Sequence, residues 1–211
     1  YYFWQQGYQV AIMDHRGHGK SFRQIEDESI IYVERFSYYV KDLKLFVEKV
    51  VKPMADGRPL YLYGHSMGGG IAVFYLEQYP SDFEKAVLSA PMLGLNMGPV
   101  PGWMARTLCD IKVLSGKGKE RLFMQEAFDP EESYENSCAD SKARFAYYHK
   151  LRCTDVSYQT SSASYYWGRE AINAGNFILS KNQVKKIRAS VLLFTAEKDT
   201  LVDTKCHKLF T

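Results

Sequence analysis

The pentapeptide Gly64-His65-Ser66-Met67-Gly68 stands between an apolar run, Pro59 to Gly64, and a run of small and apolar residues, Met67 to Tyr79, that Pro80 ends. A G-x-S-x-G alone says little. With Gly and Ser each near 7% of residues, a chance match in 211 positions arises in about one chain in fourteen. Its setting says more. A buried strand, a very tight turn and a helix start in succession force strained backbone angles at the bend, and flanking glycines let the main chains pass without Cβ clashes. The serine hydroxyl is then raised at the end of a strand, and the next backbone N–H lies at an open helix N-terminus with its positive dipole end. Ser66 is therefore a candidate nucleophile and the Met67 N–H a candidate oxyanion donor. The plainer alternative makes Ser66 a helix cap and the glycines packing spacers.

The flanking pattern is α/β. Tyr1 to Gln6 reads as a helix tail ended by Gly7, and Tyr8 to Asp14 as a buried strand. From Ser37, apolar residues at Val40, Leu43, Phe46, Val47, Val50 and Val51 recur at helical spacing, with Pro53 and Gly57 as stop signals. Glu84 to Ala90 and Ala189 to Thr195 read as further strands, and a helix starts at Asp203. Strands alternating with helices imply a mostly parallel sheet covered on both faces. Between the third and fourth strands lies a stretch rich in Tyr, Met, Arg and Glu with helical rather than strand patterning. The domain reading is a core over 1–91, a helical cap insertion over 92–185, and core again over 186–211.

Charge and cysteine usage exclude several classes. Lys and Arg number 27 against 24 Asp and Glu, an excess of three, too small for a nucleic-acid footprint. No apolar run approaches the roughly 18–20 residues of a membrane span, and there is no signal peptide. Cys109, Cys138, Cys153 and Cys206 lack the spacing of a zinc or redox site and read as free, mostly buried thiols of a reducing compartment. A cytoplasmic location follows, with peripheral contact at the inner face of a membrane as the alternative.

The loop Asp14-His15-Arg16-Gly17-His18-Gly19-Lys20-Ser21 ends like a phosphate loop, but Asp14 stands where that motif needs glycine, so nucleotide binding is rejected. His15 and His18 lack partners for a zinc site. The loop reads as a tight turn braced by Asp14 and Arg16. A serine nucleophile needs a base and an orienting acid. Asp199, four residues past the last strand, is the candidate acid; Asp203 suits a helix cap, and Glu197 is the lesser choice. The base does not emerge. Of the five histidines only His207 follows Asp199, and it falls on a helix start rather than on a loop facing the nucleophile.

The segments DHRGHGKS, GHSMGGG, LSAPMLGL and LLFTAEKDTLVD resemble the lysophospholipase and monoacylglycerol lipase branch of the α/β-hydrolases. The cap segments PVPGWMAR (Pro99 to Arg106) and SYYWGREAINAG (Ser164 to Gly175) resemble those of bacterial lysophospholipases. The resemblance implies an α/β-hydrolase fold with an inserted helical cap, Ser66 as nucleophile, Asp199 as triad acid and Met67 as one oxyanion donor. It implies a serine hydrolase that cleaves the carboxylic ester of a monoacyl lipid through an acyl-enzyme, with no cofactor and no metal. His65, Trp103, Arg106 and Trp167 are candidate substrate contacts, and Arg106 and Arg169 suit a phosphate head group. The triad histidine is expected beyond Thr211 and the second oxyanion donor before Tyr1, as in the central portion of a longer protein, inactive and poorly soluble by itself. Other small-ester or thioester hydrolysis and non-catalytic lipid binding are the competing readings. Dehalogenase and epoxide hydrolase chemistry is disfavoured, since relatives that perform it carry Asp where Ser66 stands.

Overall fold

The computed structural model describes every residue except Met124 and Cys138. In chain order the elements are α1 (Tyr2–Gln5), β1 (Ile30–Ile31), α2 (Ser37–Phe46), α3 (Lys52–Ala55), β2 (Tyr61–His65), α4 (Met67–Gln78), β3 (Lys85–Ser89), α5 (Gly102–Leu114), α6 (Lys142–Thr154), β4 (Ser162–Ala163), α7 (Tyr165–Ile178), α8 (Lys181–Val184), β5 (Ser190–Phe194) and α9 (Lys205–Phe210). They fall into two compact units. The first comprises Tyr1–Met13, Arg35–Thr107 and Arg169–Thr211; the second comprises Asp14–Glu34 and Leu108–Gly168.

The first unit is built on a parallel sheet in the order β2-β3-β5. Its register sets His65 beside Ser89 and Ser89 beside Phe194, so the strands end level with one another. A helix apolar on every side belongs in an interior. In α4 the run Ile71-Ala72-Val73-Phe74-Tyr75-Leu76 is wholly buried, and the helix packs on β2 and β3 with α2 against it. In α2, Val40 is buried, as the spacing predicts, and so is Tyr39, which the spacing does not single out.

Pro53 does not stop this helical segment. The backbone widens into a π-helical turn over Val47–Val51 and continues as α3 with the proline in its first turn. The wider turn accommodates both the missing proline N–H and the clash its ring would make with the carbonyl four residues back. The stop comes at Asp56 and Gly57, both left-handed.

Two further expectations are corrected. Residues 8–14 form no strand, and Ile12 is 85% exposed. A strand exists by pairing, and this segment touches the sheet through side chains instead, with Tyr8 edge-on to Tyr61 and Gln9 accepting from Arg58. The stretch 92–185, read as a helical cap, also holds β4, which pairs in parallel with β1 of the segment before it, with Ile30 beside Ser162. The cysteines are also less uniform than expected: Cys109 is buried, Cys206 half-buried and Cys153 exposed, while Cys138 lies outside the described residues. No helix among the described residues is long and apolar enough to cross a membrane.

Candidate active site

Ser66 sits between β2 and α4 with φ +49° and ψ −122°, a backbone conformation that side chains rarely adopt. Such strain persists only where the surroundings over-determine it. Here the Ser66 carbonyl accepts from Gly69 N–H at 2.9 Å, Gly70 N–H at 3.2 Å and Met92 N–H at 2.8 Å, while Ser66 N–H donates to Ser89 O at 3.0 Å. The bend also requires small neighbours. A Cβ at Gly64 would stand 2.8 Å from the Gly68 carbonyl oxygen, and one at Gly69 would stand 2.6 Å from Pro91 Cβ. Met67 is the first residue of α4, so its N–H has no acceptor within the helix and points with the positive end of the dipole.

Asp199 lies in the loop after β5. Its Oδ1 accepts from Leu201 N–H at 2.9 Å and Val202 N–H at 2.8 Å, which fixes the carboxylate in a tight turn. The loop is held at its far end as well: Leu95 and Val202 form an antiparallel bridge, and Asp203 N–H donates to Gly94 O at 3.0 Å. Asp203 Oδ1 accepts from Lys205 N–H at the start of α9, but the N-cap position expected for it is held by Thr204 instead. Ser66 and the Asp199 loop follow β2 and β5, which flank β3, so two strand spacings of sheet, roughly 10 Å, separate their positions.

His207 is buried on α9 and faces neither Ser66 nor Asp199. Its Nδ1 lies 2.9 Å from Thr195 Oγ1 and its Nε2 2.8 Å from Pro91 O. His65, at the end of β2, turns its Nδ1 to Ser89, 3.1 Å from the carbonyl oxygen and 3.3 Å from Oγ. Trp103 and Arg106 are brought together on the wall of a cavity of about 490 Å³ shared with Leu93, Leu95, Met97 and Ile172. Arg106 Nη1 donates to Asn173 Oδ1 at 2.6 Å. Arg169 Nε lies 3.5 Å from Glu170 Oε1 in the same unit. Trp167 belongs to the second unit, where it is buried and its backbone N–H donates to Ser164 Oγ.

The glycine-rich loop also lies in the second unit. Asp14 braces it, accepting from Lys20 N–H at 2.9 Å on its carboxylate and from Ser21 Oγ on its carbonyl. The larger brace is Arg23, which sequence reasoning missed. Its guanidinium donates to the carbonyls of Gly17, Gly19, Glu28 and Ser157 and to Thr160 Oγ1. Two of these partners lie more than 130 residues away, and no local pattern announces them.

A parallel sheet with a strained serine between strand and helix, and an acidic loop level with it two strands along, has the layout of an α/β-hydrolase. Residues 1–211 match throughout the hydrolase family described as "Serine aminopeptidase, S33", and the chain belongs to that family. It is 30% identical over 213 residues to "Lysophospholipase L2" of Escherichia coli, across 97% of this chain and 59% of that protein. It is 37% identical over 87 residues to human "Monoglyceride lipase", across 41% of this chain and 27% of that protein. Among solved structures, a soluble variant of monoglyceride lipase from Saccharomyces cerevisiae aligns with TM-score 0.66 and 21% identity over 93% of this chain and 61% of that one. The chain thus spans about three-fifths of the length of the relatives it matches over its whole extent.

Proposed function

We propose that this chain carries the nucleophile and acid of a serine hydrolase that cleaves the carboxylic ester of a monoacyl lipid, a lysophospholipid or a monoacylglycerol. The observation that carries the reading is the conformation of Ser66, a non-glycine residue at φ +49° whose carbonyl is held by three N–H groups. No packing role requires that strain, whereas a hydroxyl lifted clear of the strand end does. The names of the lysophospholipase and monoglyceride lipase relatives support the lipid ester as substrate.

In this reading Ser66 Oγ attacks the acyl carbonyl while a base takes its proton. The Met67 N–H stabilises the tetrahedral oxyanion, which collapses as the base returns the proton to the departing glycerol oxygen. Water then attacks the acyl-enzyme by the same route and frees the fatty acid. Asp199 orients the base. His65 is engaged with Ser89, and His207 with Thr195 and Pro91, so neither is assigned that role in this reading. Trp103 and Arg106, on the wall of the apolar cavity, are the proposed lipid contacts in the first unit, and peripheral contact with a membrane belongs to the same reading.

A fluorophosphonate probe tests it. The full-length protein is expected to label covalently at Ser66 and to lose the label in Ser66→Ala. Absence of labelling, or equal labelling of the variant, would sink the proposal.

A further inference from the structure

His207 is only 2% exposed, and both ring nitrogens are engaged with residues far from it in sequence. Pro91 O can only accept, so Nε2 carries the ring proton and donates to it. Nδ1 shares a hydrogen bond with the Thr195 hydroxyl, which can donate or accept. These two partners occupy particular places. Thr195 is the residue directly after β5, where the loop to Asp199 begins. Pro91 follows Ala90, a non-glycine residue at φ +42°, although a residue before proline normally takes an extended conformation. Next comes Met92, whose N–H donates to the Ser66 carbonyl. The strained Ala90-Pro91-Met92 turn is therefore held on one side by the elbow and on the other by His207.

Resting on the reading of Ser66 and Asp199 given above, we propose that His207 is a positioning residue. It clamps the Pro91 turn to the root of the Asp199 loop and so fixes the separation of nucleophile and acid. Asp203 and the Leu95–Val202 bridge already hold the far end of that loop, and His207 supplies the near end. Without it the near end of the loop is left to the last pairing of β5, where Phe194 O accepts from Ala90 N–H, and the Pro91 turn to that bond and its bond to the elbow. A shift of about 1 Å between reacting groups costs about 100-fold in rate while leaving substrate contacts in place.

The test uses the full-length protein, hydrolysis of a nitrophenyl monoester, and thermal unfolding of each variant. Labelling of Ser66 in the wild type decides the underlying reading first, so its failure is told apart from failure of the clamp. In His207→Ala, kcat is expected to fall roughly 10- to 100-fold with KM within about 2-fold, the signature of a loss felt only in the transition state. Thr195→Val, which keeps the volume and removes the hydroxyl, is expected to lower kcat about 3- to 10-fold with KM unchanged. His207→Gln, whose amide N–H can reach Pro91 O, is expected to recover to within about 3-fold of wild type. The double variant should be no slower than His207→Ala, because both substitutions break one clamp. The proposal is overturned if kcat stays within about 2-fold of wild type in His207→Ala, with or without a lower Tm, or if kcat and KM move together. It is equally overturned if Gln gives no rescue. Should the alanine variant fail to fold, Thr195→Val decides, and an unchanged kcat there overturns the clamp.

Discussion

Gly69 shows how tightly a single position is specified. Alanine in a helix interior is favoured over glycine by up to about 1 kcal/mol. At this position the added Cβ would lie 2.6 and 2.7 Å from Pro91 Cβ and Cα, a clash that costs roughly 1–3 kcal/mol to relieve. The two terms nearly offset, so Gly69→Ala is expected to lose no more than about 2 kcal/mol in urea unfolding. Relief of the clash, however, must move the Pro91 turn or the elbow, and the fluorophosphonate labelling rate of Ser66 should fall at least about 10-fold.

Glu77 makes the opposite case. Its side chain is only 2% exposed on α4, and neither carboxyl oxygen has a hydrogen-bond partner among the described residues. Burial pushes its pKa up to about 8, against the weaker pull of Lys186. The folded carboxyl keeps its proton up to about pH 8, whereas the unfolded chain releases it near pH 4.5. Between those values unfolding releases a proton, so this group's contribution to stability falls as pH rises and then levels. Glu77→Met is expected to be more stable than wild type, with a difference in urea midpoint that grows from about pH 4.5 to about pH 8 and is flat above it. A constant difference across that range would refute the assignment. At this scale the strained serine and its glycines were legible in the sequence because the demands of a tight bend are local. His207, Arg23 and Glu77 were not, because the bonds of the first two and the burial of the third depend on distant segments.

Elements that carry their own pattern were equally readable, and those that depend on a neighbour were not. The periodicity from Val40 to Val51 finds the buried Val40 and Val47, although Val50 is exposed, and the apolar run of α4 announces its burial. The π-helical turn ahead of Pro53 has no such signature, and residues 8–14 have a strand's composition without a strand's pairing. The junction of α2, α3 and α4 is tied by Asp82, which accepts from Lys44 at 2.7 Å, Lys52 at 2.8 Å and Tyr75 Oη at 2.6 Å; Glu48 bridges both lysines. Burial by itself would raise the Asp82 pKa, but the bonds from Lys44, Lys52 and Tyr75 outweigh it and hold the group at about 2. With the folded pKa depressed, the stabilisation is present above the unfolded value of 3.8 and is lost as pH falls toward about 2. Asp82→Asn should therefore cost on the order of 2 kcal/mol near neutral pH. Urea midpoints of the two proteins should converge between about pH 4 and about pH 2, and parallel curves would show that Asp82 does not titrate in this window.

At the scale of the molecule, alternation of strands and helices foretold a parallel sheet, and the chain's contacts gather into two units, neither of them a single stretch of sequence. The glycine-rich loop and β1 fall in one unit with residues 108–168, whereas 92–107 and 169–185 fall in the unit that holds the sheet. The reason is the pairing of Ile30 with Ser162 and the reach of Arg23 to Ser157, contacts that no linear boundary expresses. The sheet itself is covered unequally. One face lies under α4. The other carries Tyr61, Tyr63, Leu192 and Phe194, each between 47% and 56% exposed, and no further strand hydrogen-bonds to β2 or β5 among the described residues. Four large apolar side chains on two alternating strands make a contiguous patch of the kind that soluble monomers seldom leave bare, next to two open edges that invite pairing. The 211-residue polypeptide expressed by itself is therefore expected to self-associate and to bind a hydrophobic dye such as anilinonaphthalene sulfonate. Tyr63→Lys and Leu192→Lys together place two like charges on that face without touching α4, and should shift the mass measured by light scattering toward the monomer and reduce dye binding several-fold. If the double variant associates as strongly as the parent, the sheet edges rather than the apolar face drive assembly, and a proline in the outer edge of β5 becomes the substitution that restores the monomer.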